Sequence, residues 1–200
     1  MKRVNRWGCC GVLCLLLLTG CATRSPAPVA AVPPLQLAPA TLGSSLTLVQ
    51  RLTVLKVPRN GGEAASTGRS IDVLLELDPA RVRLAGFVMN QRVLTLDYDG
   101  KTLRSQRHPL LPMEVDAAHV LRDVQLVYWP ASALQAALPP GWTLDESERA
   151  RVLRSRDGSA VVNIRYAVGA PRWIGTAELD NVAEHYRLRI ESALQPEEAP

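Results

Sequence analysis

Ser70-Ile71-Asp72-Val73-Leu74-Leu75-Glu76-Leu77 decides the fold class. Ile71, Val73, Leu75 and Leu77 share one parity, with Asp72 and Glu76 on the other. A period of two places one side of an extended chain in a core and the other in water. Asp78-Pro79 ends the run, because proline fixes φ and brings no N–H to a ladder. The same alternation extends in both directions. Upstream, Ser45–Val57 sets Leu46, Leu48, Leu52 and Val54 against Thr47, Arg51 and Thr53. Downstream, Arg81–Met89 sets Val82, Leu84 and Val88 against Arg81, Arg83, Phe87 and Met89, and Gly86 between them predicts a bulge or bend. Arg92–Tyr98 and Lys101–Arg107 flank Asp99-Gly100, a hairpin signal. Asn60-Gly61-Gly62 and Ser66–Gly68 mark a loop. Consecutive strands with short turns predict an antiparallel meander.

Pro109 and Pro112 stop the sheet, and the period changes. Ala117, Val120, Leu121, Val124, Val127 and Tyr128 recur at helical spacing behind Asp116, an N-cap residue type. Trp129-Pro130 interrupts this helix, and Ala131–Leu138 resumes as a shorter one that ends at Pro139-Pro140-Gly141. Strand patterns then return over Arg149–Arg156, Ala160–Tyr166, Arg172–Leu179 and Tyr186–Ser192. The expected fold is mainly β with a helical insertion, an α+β arrangement. Its curved antiparallel sheet or open half-barrel has about eight or nine strands under a short helical lid. Residues 43–194 form this single β-rich domain, and 195–200 a frayed tail.

Ahead of it lies a different chemistry. Lys2, Arg3 and Arg6 precede an apolar run, Val12 through Leu18, that is far shorter than the roughly 20 residues a bilayer crossing needs. A basic head followed by such a run is an export signal. Leu18-Thr19-Gly20-Cys21 resembles the bacterial lipobox, which implies removal of residues 1–20 and lipid joined to the Cys21 sulfur. Residues 21–42 then read as the lipidated cysteine followed by a Pro/Ala-rich tether, with Pro26, Pro28, Pro33, Pro34 and Pro39 in it. About 20 such residues reach up to ~60 Å when extended.

The cut changes the bulk properties. The whole chain carries 23 basic and 19 acidic side chains, but the signal takes three basic ones and no acid, leaving 20 against 19. A balanced chain gives no sign of the basic patch that nucleic acid requires. Cys9, Cys10 and Cys14 leave with the signal and Cys21 is consumed, so the mature body has no thiol for a disulfide, metal or redox site.

Catalysis has little footing: His108, His119 and His185 are the only three histidines, without a Gly-x-Ser-x-Gly elbow or a paired-histidine metal motif. No enzyme, metal or cofactor is expected. The paired arginines Arg81/Arg83 and Arg187/Arg189, and the group Arg149, Arg151, Arg154 and Arg156, read as solvated strand faces balanced by acids. The few aromatics carry the binding expectation. Phe87, Met89, Leu96 and Tyr98 on adjacent strands, with Tyr128, Trp129 and Trp142 around the short helix, are candidate walls of an apolar pocket. The alternative reading is that the same residues only fill the core.

Leu96-Asp97-Tyr98-Asp99-Gly100, Leu110-Leu111-Pro112, Gln125-Leu126-Val127-Tyr128-Trp129-Pro130 and the closing Tyr186-Arg187-Leu188-Arg189-Ile190 carry a resemblance. Over roughly residues 40–192 the chain resembles a family of bacterial lipoproteins encoded beside aryl-polyene and fatty-acid-type synthesis genes. Its layout is also similar to the LolA/LolB carriers, whose curved sheet and helical lid enclose acyl chains. The resemblance implies an outer-membrane lipoprotein facing the periplasm, with an acyl or polyene lipid as ligand and an envelope transport protein as partner. Ala22 behind Cys21, in place of the Asp linked to inner-membrane retention, agrees with that destination. The competing expectation is a structural or assembly component that binds no lipid.

Overall fold

The computed structural model describes residues 30–58, 68–109, 111, 115–168 and 171–196. The first strands are β1 (Leu46–Lys56), β2 (Arg69–Leu77), β3 (Val82–Val88), β4 (Gln91–Tyr98) and β5 (Leu103–Arg107). Helices α1 (Ala117–Tyr128) and α2 (Ala131–Ala137) follow, and then β6 (Thr143–Glu146), β7 (Ala150–Arg154), β8 (Ala160–Tyr166), β9 (Gly175–Asn181) and β10 (Tyr186–Leu194). All ten strands join one antiparallel sheet in the order β5-β4-β3-β2-β1-β10-β9-β8-β7-β6. Two meanders therefore meet at the long β1–β10 pair, and the sheet is curved and unclosed, with β5 and β6 as its edges.

Pairing register confirms the parity read from Ile71–Leu77. Leu48 faces Leu75, Leu52 faces Ile71 and Leu46 faces Leu77 across β1–β2, while Arg51 faces Asp72 and Thr47 faces Glu76. The apolar set enters one core with the helices, including Leu48, Leu75, Leu121, Leu126, Trp129, Leu134, Val161 and Leu179. The polar set forms the outer face, where Arg51–Asp72, Arg83–Glu76, Arg81–Asp97 and Arg187–Asp180 pair across strands. Such exposed pairs contribute little stability each. The ladder slips at Gly86/Phe87, where the glycine suggested a bulge.

Four expectations need correction. The sheet has ten strands, because Thr143–Glu146 pairs with β7; Leu144 is its one apolar residue, too few for an alternation to show. Asp116 occupies the N-cap position of α1 with extended backbone but makes no side-chain cap. The turn at Asp99-Gly100 is a four-residue loop: Tyr98 pairs with Leu103, and Asp99 Oδ1 accepts from the Lys101 and Thr102 N–H groups. The tether, finally, does not run free to residue 42. Val32, Pro33, Leu35, Leu37, Pro39 and Leu42 are buried, and this segment packs into the core. Apolar side chains on every second residue give an extended proline-rich chain one face worth burying. Cys21, residues 1–20, the Asn60–Gly62 turn and the last four residues lie outside the described residues.

Candidate functional site

Pro130 organises the space beneath α1. The carbonyl of Leu126 would ordinarily accept from the N–H four residues on, and proline has none. The Arg151 guanidinium takes the vacancy: it donates to Leu126 O at 2.7 Å, Val127 O at 3.3 Å and Trp129 O at 2.6 Å. Tyr166 Oη donates to Val127 O at 2.8 Å. Arg151 shares the inward parity of Leu153 on β7 and is fully buried, so it is no member of a solvated arginine face. Its charge is met by Glu146 at 2.7 Å, which also receives Arg172 at 2.6 Å. Although partial burial pushes the Glu146 carboxyl up, Arg151 and Arg172 together hold it below its ordinary value. Burial pushes the Tyr166 hydroxyl up to about 12.

A second polar cluster fixes the middle of α1 at Arg122 and Asp123. Arg122 donates two bonds to Glu184, at 2.6 and 2.9 Å, and one to Asp123 at 3.1 Å, while Tyr186 Oη donates to Asp123 and accepts from Asn181. Burial raises the Asp123 carboxyl above its usual range even with Arg122 beside it. At the last residue of α1, Gln50 Nε2 donates to Tyr128 Oη at 2.5 Å and to Ser192 Oγ at 2.9 Å. The helix is thus clamped to the sheet by three polar groups, one at its middle and two at its C-terminal turn, with the apolar Leu121, Leu126 and Val127 buried around them.

Residues 32–42 thread this apolar surface as a strap. Gln125 is fully buried, and its side-chain amide grips one strap residue at both ends: Leu37 N–H donates to Oε1 at 3.2 Å, and Nε2 donates to Leu37 O at 3.0 Å. Tyr98 Oη donates to Gln36 O at 2.9 Å, and Trp129 Nε1 donates to Thr41 Oγ1 at 2.9 Å. Gly100 has φ +89°, and a Cβ there would meet Pro39 Cδ at 3.1 Å, so the β4–β5 loop also closes against the strap. Burial, and then the neighbouring Asp99 charge, raise the Tyr98 hydroxyl above its ordinary value.

The candidate pocket residues separate accordingly. Leu96, Tyr98, Tyr128, Trp129 and Trp142 are buried on the core side, and Tyr98 and Trp129 hold the strap. Phe87 and Met89 do not join them. The bulge pairs Phe87 with Arg92, and the guanidinium of Arg92 lies 5.9 Å from the centre of the Phe87 ring. Met89 sits at the tip of the β3–β4 hairpin, 98% exposed with φ 49°. A hollow of about 360 Å³ opens beside Trp142 and is lined by Ala30, Ser155, Arg156 and Asp157. Leu35, Leu37 and Gln125 were missed as site residues; the alternation in Val32-Pro33-Pro34-Leu35-Gln36-Leu37 was the signal that could have found the first two. Among the histidines, His119 is exposed on α1 and His185 lies in the β9–β10 turn at φ 58°. No helix among the described residues is long and apolar enough to cross a membrane.

No curated protein matches the chain. A solved LolA superfamily protein from Nitrosomonas europaea is similar over 85% of this chain and 96% of its own, at 7% identity and a TM-score of 0.42. Residues 50–194 match the model of a family described as protein of unknown function, DUF3261, and the chain belongs to that family.

Proposed function

We propose that this protein is a lipid-anchored carrier or acceptor of a hydrophobic acyl- or polyene-type chain, held at the periplasmic face of the outer membrane through Cys21. The ligand would lie between the curved sheet and α1. One observation carries the reading: the apolar space between sheet and helix is occupied by an extended segment, residues 32–42, that belongs to neither. A cleft that holds alternating leucines and prolines along an extended chain suits another narrow, apolar chain. Each methylene moved from water into it contributes about 0.8 kcal/mol, so affinity needs no charged contact. Tyr98, Trp129 and Gln125 supply the few polar groups that orient a ligand in an otherwise apolar site. The aryl-polyene setting implied by the resembling lipoproteins supplies a cargo of this shape, and a transport protein of the envelope would deliver it.

Native mass spectrometry of the full chain, released from membranes in mild detergent, tests the proposal. The expected result is an added mass corresponding to an acyl or polyene lipid beyond the lipid joined to Cys21. Chains carrying only the covalent lipid, together with no uptake of an added acyl probe, would reject it. The complete burial of Trp129 with the strap in place favours a second reading, a packed assembly component that binds no lipid.

A further inference from the structure

The strap is fastened differently from everything else in the core. It contributes no strand to the sheet, and its one regular turn is the 3-10 turn Pro39–Leu42, closed by Gly43 at φ 77°. Its polar attachments are single side chains from two separate elements: Tyr98 on β4, Gln125 on α1, and Trp129 just beyond α1. Gln125 meets Leu37 as a neighbouring strand residue would, through one N–H and one C=O. Residues 43–45 beyond it are exposed, which leaves a joint on which the segment can swing. Lifting the strap would bare the apolar faces of β4 and α1 while the three polar clamps of α1, none of which includes a strap residue, stayed closed.

We infer that residues 32–42 are a releasable strap that competes with the acyl ligand for the cleft, so that the chain regulates its own binding site. The inference rests on the function proposed above. In the resting state the strap satisfies Gln125, Trp129 and Tyr98 and covers the leucines; ligand entry requires that it leave. Apparent affinity is then the intrinsic affinity reduced by the fraction of chains whose strap is open. Prolines at 33, 34 and 39 help it to rebind, since they leave less backbone freedom to lose.

The test uses the full chain in lipid nanodiscs, a diazirine-bearing dodecanoic acid as probe, and the double variant Leu35→Ser, Leu37→Pro. Both changes lie in the strap, and the second removes the N–H that Gln125 accepts. Thermolysin cutting before the buried Leu42, which both chains retain, reports release, and mass spectrometry locates the probe. The expected result is faster cutting in the variant and at least about tenfold more labelling near Tyr98 and Trp129, suppressed by a synthetic peptide of residues 30–45. Strong labelling of the wild type at those residues with its strap still protected would overturn competition but leave acyl binding standing. Faster cutting with no labelling would reject both the strap mechanism and the acyl-binding function. Unchanged cutting with unchanged labelling would show that the segment is not releasable.

Discussion

Arg151 shows how one residue ties a local chain rule to the whole cleft. Pro130 terminates α1 and orphans a carbonyl, and a guanidinium arriving from β7 satisfies three carbonyls at once. Arg151→Met keeps the apolar stem and removes every one of these donors. Removal of one partner from a buried charged network costs about 3–5 kcal/mol, and the lower part of that range is expected because Glu146 is partly solvated and keeps Arg172. Urea unfolding of the variant measures it. The same pair sets an acid limit. The Glu146 carboxyl is held below its ordinary value of 4.5 in the folded chain, so the stability it adds is complete above that value and is lost as pH falls through the depressed one. Asp123 has the opposite sign: its raised carboxyl makes stability fall as pH rises from its ordinary value toward the raised one. Urea midpoints from about pH 6 down to about pH 3 should therefore drop less steeply in Arg151→Met than in the wild type. Equal slopes would show that Arg151 is not what depresses Glu146.

At the scale of elements, legibility followed the amount of alternation each segment carries. Five pairs of apolar and polar positions in β1 and β2 made those strands plain, and their register is the one the parity implied. Strand β6 escaped because an edge strand with one inward leucine has no period to detect. The strap escaped for a different reason: its prolines read as a tether, and proline content speaks to backbone stiffness while the leucines between them decide burial. Phe87 was misplaced as a pocket wall against its own parity: the β2–β3 register runs unbroken to Asp72–Phe87, which keeps Phe87 on the outer face with Arg83, and the extra residue at the register shift is Val93 on β4. The β3–β4 hairpin that follows carries strain of its own. Met89 and Asn90 both adopt left-handed backbone, at φ 49° and 62°, as a tight two-residue turn demands. Methionine is a poor occupant, since its Cβ crowds the backbone there, whereas asparagine tolerates the region. Met89→Asn should stabilise the chain by about 1 kcal/mol, read as a higher urea midpoint with unchanged slope. A drop in stability would mean that the exposed methionine makes a contact that outweighs its strain.

For the molecule as a whole, charge and anchorage make separate predictions about how it meets a membrane. If residues 1–20 are removed, as the proposed anchorage requires, 20 basic side chains face 19 acidic ones, and the outer face of the sheet spends many of them in pairs such as Arg51–Asp72 and Arg187–Asp180. A surface neutralised in this way has little net field with which to attract anionic headgroups, and at physiological salt such a field decays within about 8 Å. The proposed membrane attachment would then come from hydrocarbon. One acyl chain gives only marginal, reversible binding, and stable anchorage takes two signals, which is what several chains on Cys21 would provide. Salt should accordingly have no effect: washing membranes with about 1 M salt, where screening acts over ~3 Å, is expected to leave the full chain in the pellet. Cys21→Ser is expected to move it to the soluble fraction with its fold intact, because the described core from residue 32 onward contains no cysteine. Release of the wild type by salt would instead assign attachment to the protein surface, and retention of Cys21→Ser after the same wash would assign it to an apolar contact other than lipid on Cys21, made by the uncleaved Val12–Leu18 run or by the folded domain.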